Sequence, residues 1–278
     1  MNNVTDRIKQ VKQPYGGYLK VSDFRVIMLD DGITLNEDEN IHGSIVGLVV
    51  DYMTRFLIGS DVQDAFVISM KGAIKAEEMG IEGSVEKGKE LLRGITGTDA
   101  ASVVNACKLA GFDVWYRNPR NALRAAGYEI NPDEATVQNI QTLLNRCRTF
   151  FEKYGPVTAS GFTFEPENAE FDNWIEMCRS GKGTFGGYTP TVCTGDGDYL
   201  TADTLWDMKV IKSRITSKET LQLLMYWIMG QHSGRDLFKG ITRLGVFNPR
   251  YNQVYLYDMH DIPAETVRAV ERDVICYD

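Results

Sequence analysis

GDGDYLTADTLWDMKVIKSRITSKETLQLLMY, residues Gly195–Tyr226, is the stretch from which the fold is read. Val192, Tyr199, Leu205, Trp206 and Val210 are strand-favouring residues on either side of a polar Thr201-Ala202-Asp203 turn. They predict a hairpin of strands Thr191–Leu200 and Thr204–Ile211. Side chains two apart on a strand share a face, so Asp196 goes with Asp198, and Asp207 with Lys209. Whether the two faces coincide is left open by the sequence. If they do, two carboxylates and an ammonium converge, and a carboxylate pair repels itself unless something positive lies between. A hard divalent cation meets that need: Mg²⁺ takes oxygen ligands and is commonly held by one or two carboxylates. The plainer alternative makes Asp207 and Lys209 an exposed ion pair of little energetic value, with Gln222 and Tyr226 as ordinary polar helix residues. A calcium-loop reading of the acids fails, because Leu200 and Thr201 stand where a ligand and the turn glycine are needed.

After the second strand, Thr216 and Glu219 form a capping box that opens a helix expected to stop at Gly230. Gln222 and Tyr226, four apart, lie on one face of it, and Leu221, Leu224, Met225 and Ile228 supply the packing surface. Gly195-x-x-Asp198, Asp207-x-Lys209 and Gln222-x-x-x-Tyr226, in that order on strand, strand and helix, resemble the PD-(D/E)XK nuclease superfamily in its RecB-like branch.

The resemblance implies an α/β fold with a restriction-endonuclease-like mixed sheet flanked by helices, and metal-dependent hydrolysis of phosphodiester bonds with DNA as the expected substrate. It further implies that Asp198 and Asp207 ligate Mg²⁺ or Mn²⁺, with the Met208 backbone carbonyl completing the shell. Lys209 would position or deprotonate the attacking water, while Gln222 and Tyr226 would orient the site and contact the substrate backbone. Members of this branch often carry a metal-binding histidine on an early helix, and His42 is the residue placed to resemble it. The rival expectation is a catalytically silent nuclease-fold module that binds nucleic acid or a protein partner. Cutting both strands of a duplex would suit a homodimer, or a partner in a larger DNA-processing system.

At 278 residues and 43% hydrophobic composition the chain can bury a full core. No apolar run reaches membrane-span length and MNNVTDRIKQVKQ lacks a secretory apolar region, so a cytoplasmic protein with no membrane partner is expected. Cys107, Cys147, Cys178, Cys193 and Cys276 are scattered without a C-x-x-C pair, which predicts neither disulfides nor a zinc site nor an iron–sulfur cluster. The net charge of −8 weighs against broad affinity for nucleic acid, although a local basic stripe can exist on an acidic protein.

Three segments are expected: residues 1–58 as the N-terminal part of the nuclease core, 59–154 as a helical insertion, and 155–278 as its catalytic part. FRVIML is a candidate strand, followed by an acidic loop, DDGITLNEDEN. A helix over Ile41–Leu57 carries His42, Ile45, Val46, Val49, Met53 and Phe56 on one stripe, with Asp51 and Arg55 spaced for an ion pair. Further helices are predicted near Val62–Met79, Val85–Arg93, Asp99–Ala110 and Glu134–Tyr154. DVWYRNPRNALR interleaves Trp115 and Tyr116 with Arg117, Arg120 and Arg124, a pattern that can stack bases and neutralise phosphates, or simply be solvated. SGKGTFGG is expected to be a flexible loop near the site. ITRLGVF and VYLYDM predict a second hairpin, and a helix follows Pro263.

Overall fold

The structure, a computed structural model, describes residues 2–124, 130–166 and 171–277. The chain divides into two units, residues 1–29 with 154–278 and residues 30–153. The expected boundary at 58/59 therefore falls earlier: the Gly43–Leu57 helix belongs with the helical segments that follow it rather than with the sheet.

The first unit is α/β. Its sheet runs β1 (Arg25–Met28), β6 (Gln253–Asp258), β5 (Arg243–Asn248), β4 (Thr204–Met208), β3 (Tyr199–Leu200), β2 (Ala159–Ser160) in space. β4 and β5 are parallel and every other neighbouring pair is antiparallel. A parallel pair needs a long crossover, and the Ser217–Ser233 helix supplies it. Thr204, Leu205, Trp206 and Asp207 are all buried, as expected of an interior strand covered on both faces. In register opposite Trp206 lies Gly245, where a Cβ would stand 2.2 Å from the indole ring; only glycine leaves the tryptophan room.

Both hairpins are present, Tyr199 pairing Trp206 in the first and β5 pairing β6 in the second. The first is shorter than predicted. Residues 192–194 are lost to it because their backbone bonds elsewhere: Cys193 N–H donates to the Asn2 carbonyl at 3.0 Å, Val4 N–H to the Thr194 carbonyl at 3.1 Å, and Val192 N–H to the Thr189 hydroxyl at 3.1 Å. The second strand ends at Met208, three residues early.

The crossover helix begins with the predicted Thr216–Glu219 capping box but runs past Gly230 to a left-handed cap at Gly234. Gly230 serves packing instead, since a Cβ there would sit 2.5 Å from the Phe238 ring. Leu221, Leu224, Met225 and Ile228 enter a core shared with Leu244, Val246, Phe164 and Tyr188. Of SGKGTFGG, residues 180–184 are exposed and only the end is packed, where a Cβ at Gly187 would meet the Met229 carbonyl at 2.2 Å.

The second unit is helical. The Gly43–Leu57 helix buries Val46, Val49 and Met53, and the Asp51–Arg55 pair closes at 3.0 Å. The predicted Val62–Met79 helix is two, Val62–Ala65 and Val67–Glu78, separated at the buried Phe66. Ser84–Arg93, Ala100–Ala110 and Glu134–Tyr154 match their expected positions within a residue. Asp113 is buried and fully engaged, accepting from Tyr52 Oη at 2.6 Å and Ser69 Oγ at 2.5 Å. Arg146 forks onto Asp31 at 2.7 and 2.9 Å, fastening the acidic loop to the long Glu134–Tyr154 helix.

Candidate active site

Asp207 and Lys209 leave β4 and its continuation on one side, as the two-residue period requires. The ladder extends one step past Met208, because Lys209 N–H donates to the Phe247 carbonyl at 2.9 Å. Lys209 Nζ donates to Asp207 at 2.9 Å and to Gln222 Oε1 at 3.0 Å. Gln222 Nε2 in turn donates to the Tyr226 hydroxyl at 2.9 Å, one turn along the helix. Asp198, on the segment entering β3, accepts the Met208 N–H at 2.7 Å, which fixes its carboxylate next to Asp207 along the chain. The Asp198 charge is also felt by Lys209 and Tyr226, so Asp198, Asp207, Lys209, Gln222 and Tyr226 form one constellation.

Its glycines have a steric purpose. A Cβ at Gly195 would lie 2.7 Å from the Val4 side chain, and one at Gly197 would lie 2.0 Å from the Phe162 ring. The segment passes between these groups only without side chains. Gly197 N–H then donates to the Phe162 carbonyl and Gly161 N–H to the Asp198 carbonyl, so Asp198 is held from both sides of its peptide. Tyr226 packs its ring on Phe162 and Phe164.

Burial works to lower the Lys209 ammonium, but the Asp207 and Asp198 carboxylates outweigh it and hold its pKa above the ordinary lysine value. The Tyr226 phenol is pushed well above its ordinary value by burial first, then by Asp207, Asp198 and Asp196, against the Gln222 bond. Asp196, exposed, thus adds to the same negative field.

The oxygens of Asp198, Asp207 and the Met208 peptide are hard donors of the kind Mg²⁺ and Mn²⁺ take, and no soft sulfur ligand belongs to the set. Among the described residues no group of three or more His, Cys, Asp or Glu side chains is placed to hold a metal ion; a two-carboxylate magnesium site needs fewer.

His42 does not begin a buried face. It is exposed and caps the Gly43–Leu57 helix in the second unit, its ring nitrogen Nδ1 accepting the Ser44 N–H at 3.2 Å. The arginine cluster is in that unit as well. Trp115 is buried and not offered for stacking, while Tyr116 is exposed. Arg117 folds back onto Asp113 at 3.3 Å and the Tyr52 hydroxyl at 3.2 Å, Arg120 is exposed, and the Arg124 side chain lies outside the described residues.

No helix is long and apolar enough to cross a membrane among the described residues. No family model, no curated protein and no solved structure matches the chain.

Proposed function

We propose that the protein is a Mg²⁺- or Mn²⁺-dependent nuclease that hydrolyses phosphodiester bonds, with DNA as the substrate, and that its sheet and crossover helix are a restriction-endonuclease-like core of the PD-(D/E)XK superfamily. The observation that carries this reading is the unbroken run from Asp207 through Lys209 and Gln222 to Tyr226, with Asp198 bonded to the Met208 amide beside it.

Asp198, Asp207 and the Met208 carbonyl would hold the cation. When bound, such an ion polarises a phosphoryl oxygen and lowers the pKa of a coordinated water. Lys209 is the cation that meets the negative charge growing on the phosphoryl oxygens as water adds to phosphorus and the P–O ester bond breaks. Gln222 is a positioning residue: its carbonyl fixes the ammonium and its amide is anchored on Tyr226. The buried phenol stays neutral at physiological pH, accepting that amide while keeping its own O–H.

The test is cleavage of linear duplex, circular duplex and single-stranded DNA by the wild type and Lys209→Ala, with Mn²⁺ or with EDTA. Metal-dependent cutting that falls roughly 10²-fold in the variant is expected. Wild-type rates from Lys209→Ala would remove the assignment, and no cutting of any substrate by the wild type would leave a binding module in its place.

A further inference from the structure

Two stretches of this acidic chain carry cations and no carboxylate: Lys9–Lys20, KQVKQPYGGYLK, and Met208–Lys218, MKVIKSRITSK. They are far apart in sequence and joined in space. Gln13 Nε2 donates to the Ser217 carbonyl at 3.1 Å, the Thr220 hydroxyl donates to the Leu19 carbonyl at 2.7 Å, and a Cβ at Gly17 would stand 2.5 Å from Ser217 Cβ. Lys12, Lys20 and Lys218 are each the chain neighbour of one of these anchored residues, and Lys12, Lys20, Lys212, Arg214 and Lys218 all reach solvent. Lys9 is already paired with Asp6. The nearby Glu219 is turned onto the Thr216 amide and hydroxyl.

Between Lys12 and Lys20 in the chain stands Tyr15, which is fully in solvent at 101% relative exposure. It occupies the tip of a Pro14–Gly17 turn closed by Gly17 N–H to the Pro14 carbonyl at 2.9 Å. Gly16 takes φ +83°, as the third position of a type II turn requires, and the Lys20 side chain lies along that glycine. The ring is therefore held on a rigid turn while burying nothing in the fold. An exposed aromatic face amid cations is the combination that binds single-stranded nucleic acid, where phosphates meet the charges and an unpaired base stacks on the ring. In a duplex the base faces are already covered by their neighbours. The patch leads to the site: Lys218 and Gln222 are four apart on one helix face, and Gln222 holds Lys209.

We infer that Tyr15, Lys12, Lys20, Lys212, Arg214 and Lys218 form a binding track for single-stranded nucleic acid that feeds the Asp207–Lys209 site, with Tyr15 stacking on an unpaired base. The inference rests on the nuclease reading for the place to which the strand is led. A local run of cations of this kind is compatible with the net charge of −8.

The test is binding of a labelled oligothymidylate and of a blunt hairpin duplex to the full chain in EDTA, where no cleavage interferes. Tyr15→Ala is expected to weaken the single strand roughly tenfold, the scale of one base–aromatic stack, and to leave the duplex unchanged; Tyr15→Trp restores binding. Replacing Lys212, Arg214 and Lys218 by Ala should flatten the salt dependence by a slope of about 0.7 for each phosphate left unneutralised. Unchanged single-strand binding by Tyr15→Ala, or equal weakening on both substrates, overturns the track. Cleavage in Mn²⁺ without Tyr15-dependent binding would remove this inference and spare the nuclease. Tyr15-dependent binding without cleavage would do the reverse.

Discussion

Lys209 and Asp207 form an ion pair in which the partners are unequally buried: the carboxylate side chain is 2% exposed, the lysine 22%. A carboxylate out of water is costly unless paired, so the lysine stabilises the fold. In EDTA, Lys209→Ala should lose about 3 kcal/mol in chemical denaturation, the scale of breaking a buried pair. Asp207→Asn with Lys209→Met should recover most of it. A single variant as stable as the wild type would show that the pair does no such work.

Divalent ions should raise the melting temperature. At a hundredfold excess over its dissociation constant, Mn²⁺ adds about 2.7 kcal/mol through binding linkage. Asp207→Asn should abolish the rise and His42→Ala should keep it, since the His42 ring nitrogen is engaged in capping its own helix through the Ser44 N–H. Loss of the rise in His42→Ala would return that histidine to the metal shell.

Tyr226→Phe keeps the ring on Phe162 and Phe164 but removes the acceptor for the Gln222 amide. The expected cost is about 1 kcal/mol of stability, with cleavage reduced by roughly tenfold as Gln222 releases Lys209. A variant that loses stability but cuts at full rate would confine the tyrosine to packing.

Gly245→Ala places a Cβ against the ring of Trp206, the residue before Asp207. Overpacking of this kind costs about 1–3 kcal/mol. Altered tryptophan fluorescence should accompany it, together with weaker metal-induced stabilisation. Unchanged melting would mean that the strands part without strain.

In the helical unit, hydrogen bonding to Arg146 holds the Asp31 carboxyl below its ordinary range. A lowered folded pKa contributes stability that is complete above the unfolded value, about 4, and is lost as pH falls through the folded one. Asp31→Asn should therefore be less stable than the wild type at neutral pH, with the gap closing as the solution is acidified below about pH 4. A gap that stays constant would assign the difference to something other than charge.

What could be read from the sequence follows the range of the forces involved. The Glu134–Tyr154 helix is legible to both ends because its signals are local: Asp133 accepts the Thr136 N–H ahead of it, and Gly155-Pro156 follows it. Asp207, Lys209, Gln222 and Tyr226 are legible for the same reason, since strand and helix periods alone place each pair on one face. The bond from Met208 to Asp198 is less so, because it depends on how segments meet. Residues 193 and 194 mislead because their backbone bonds to Asn2 and Val4, at the far end of the chain. His42 misleads by one position, an apolar stripe being extended back onto the cap. Arg117 turns to Asp113, four residues earlier and visible as a spacing, and to Tyr52, which no local pattern reveals.

The pairing of β1 with β6 governs the order in which this chain can be assembled on the ribosome. Residues 30–153 emerge as one contiguous unit whose described elements are helices, and such local connections favour early folding. β1 meanwhile waits for Gln253–Asp258, and β4 waits for β5, made after the crossover helix. A nascent chain that has already translated Asp198, Asp207 and Lys209 thus carries the charges without the enclosure that aligns them, and the constellation is assembled only when the closing strands arrive.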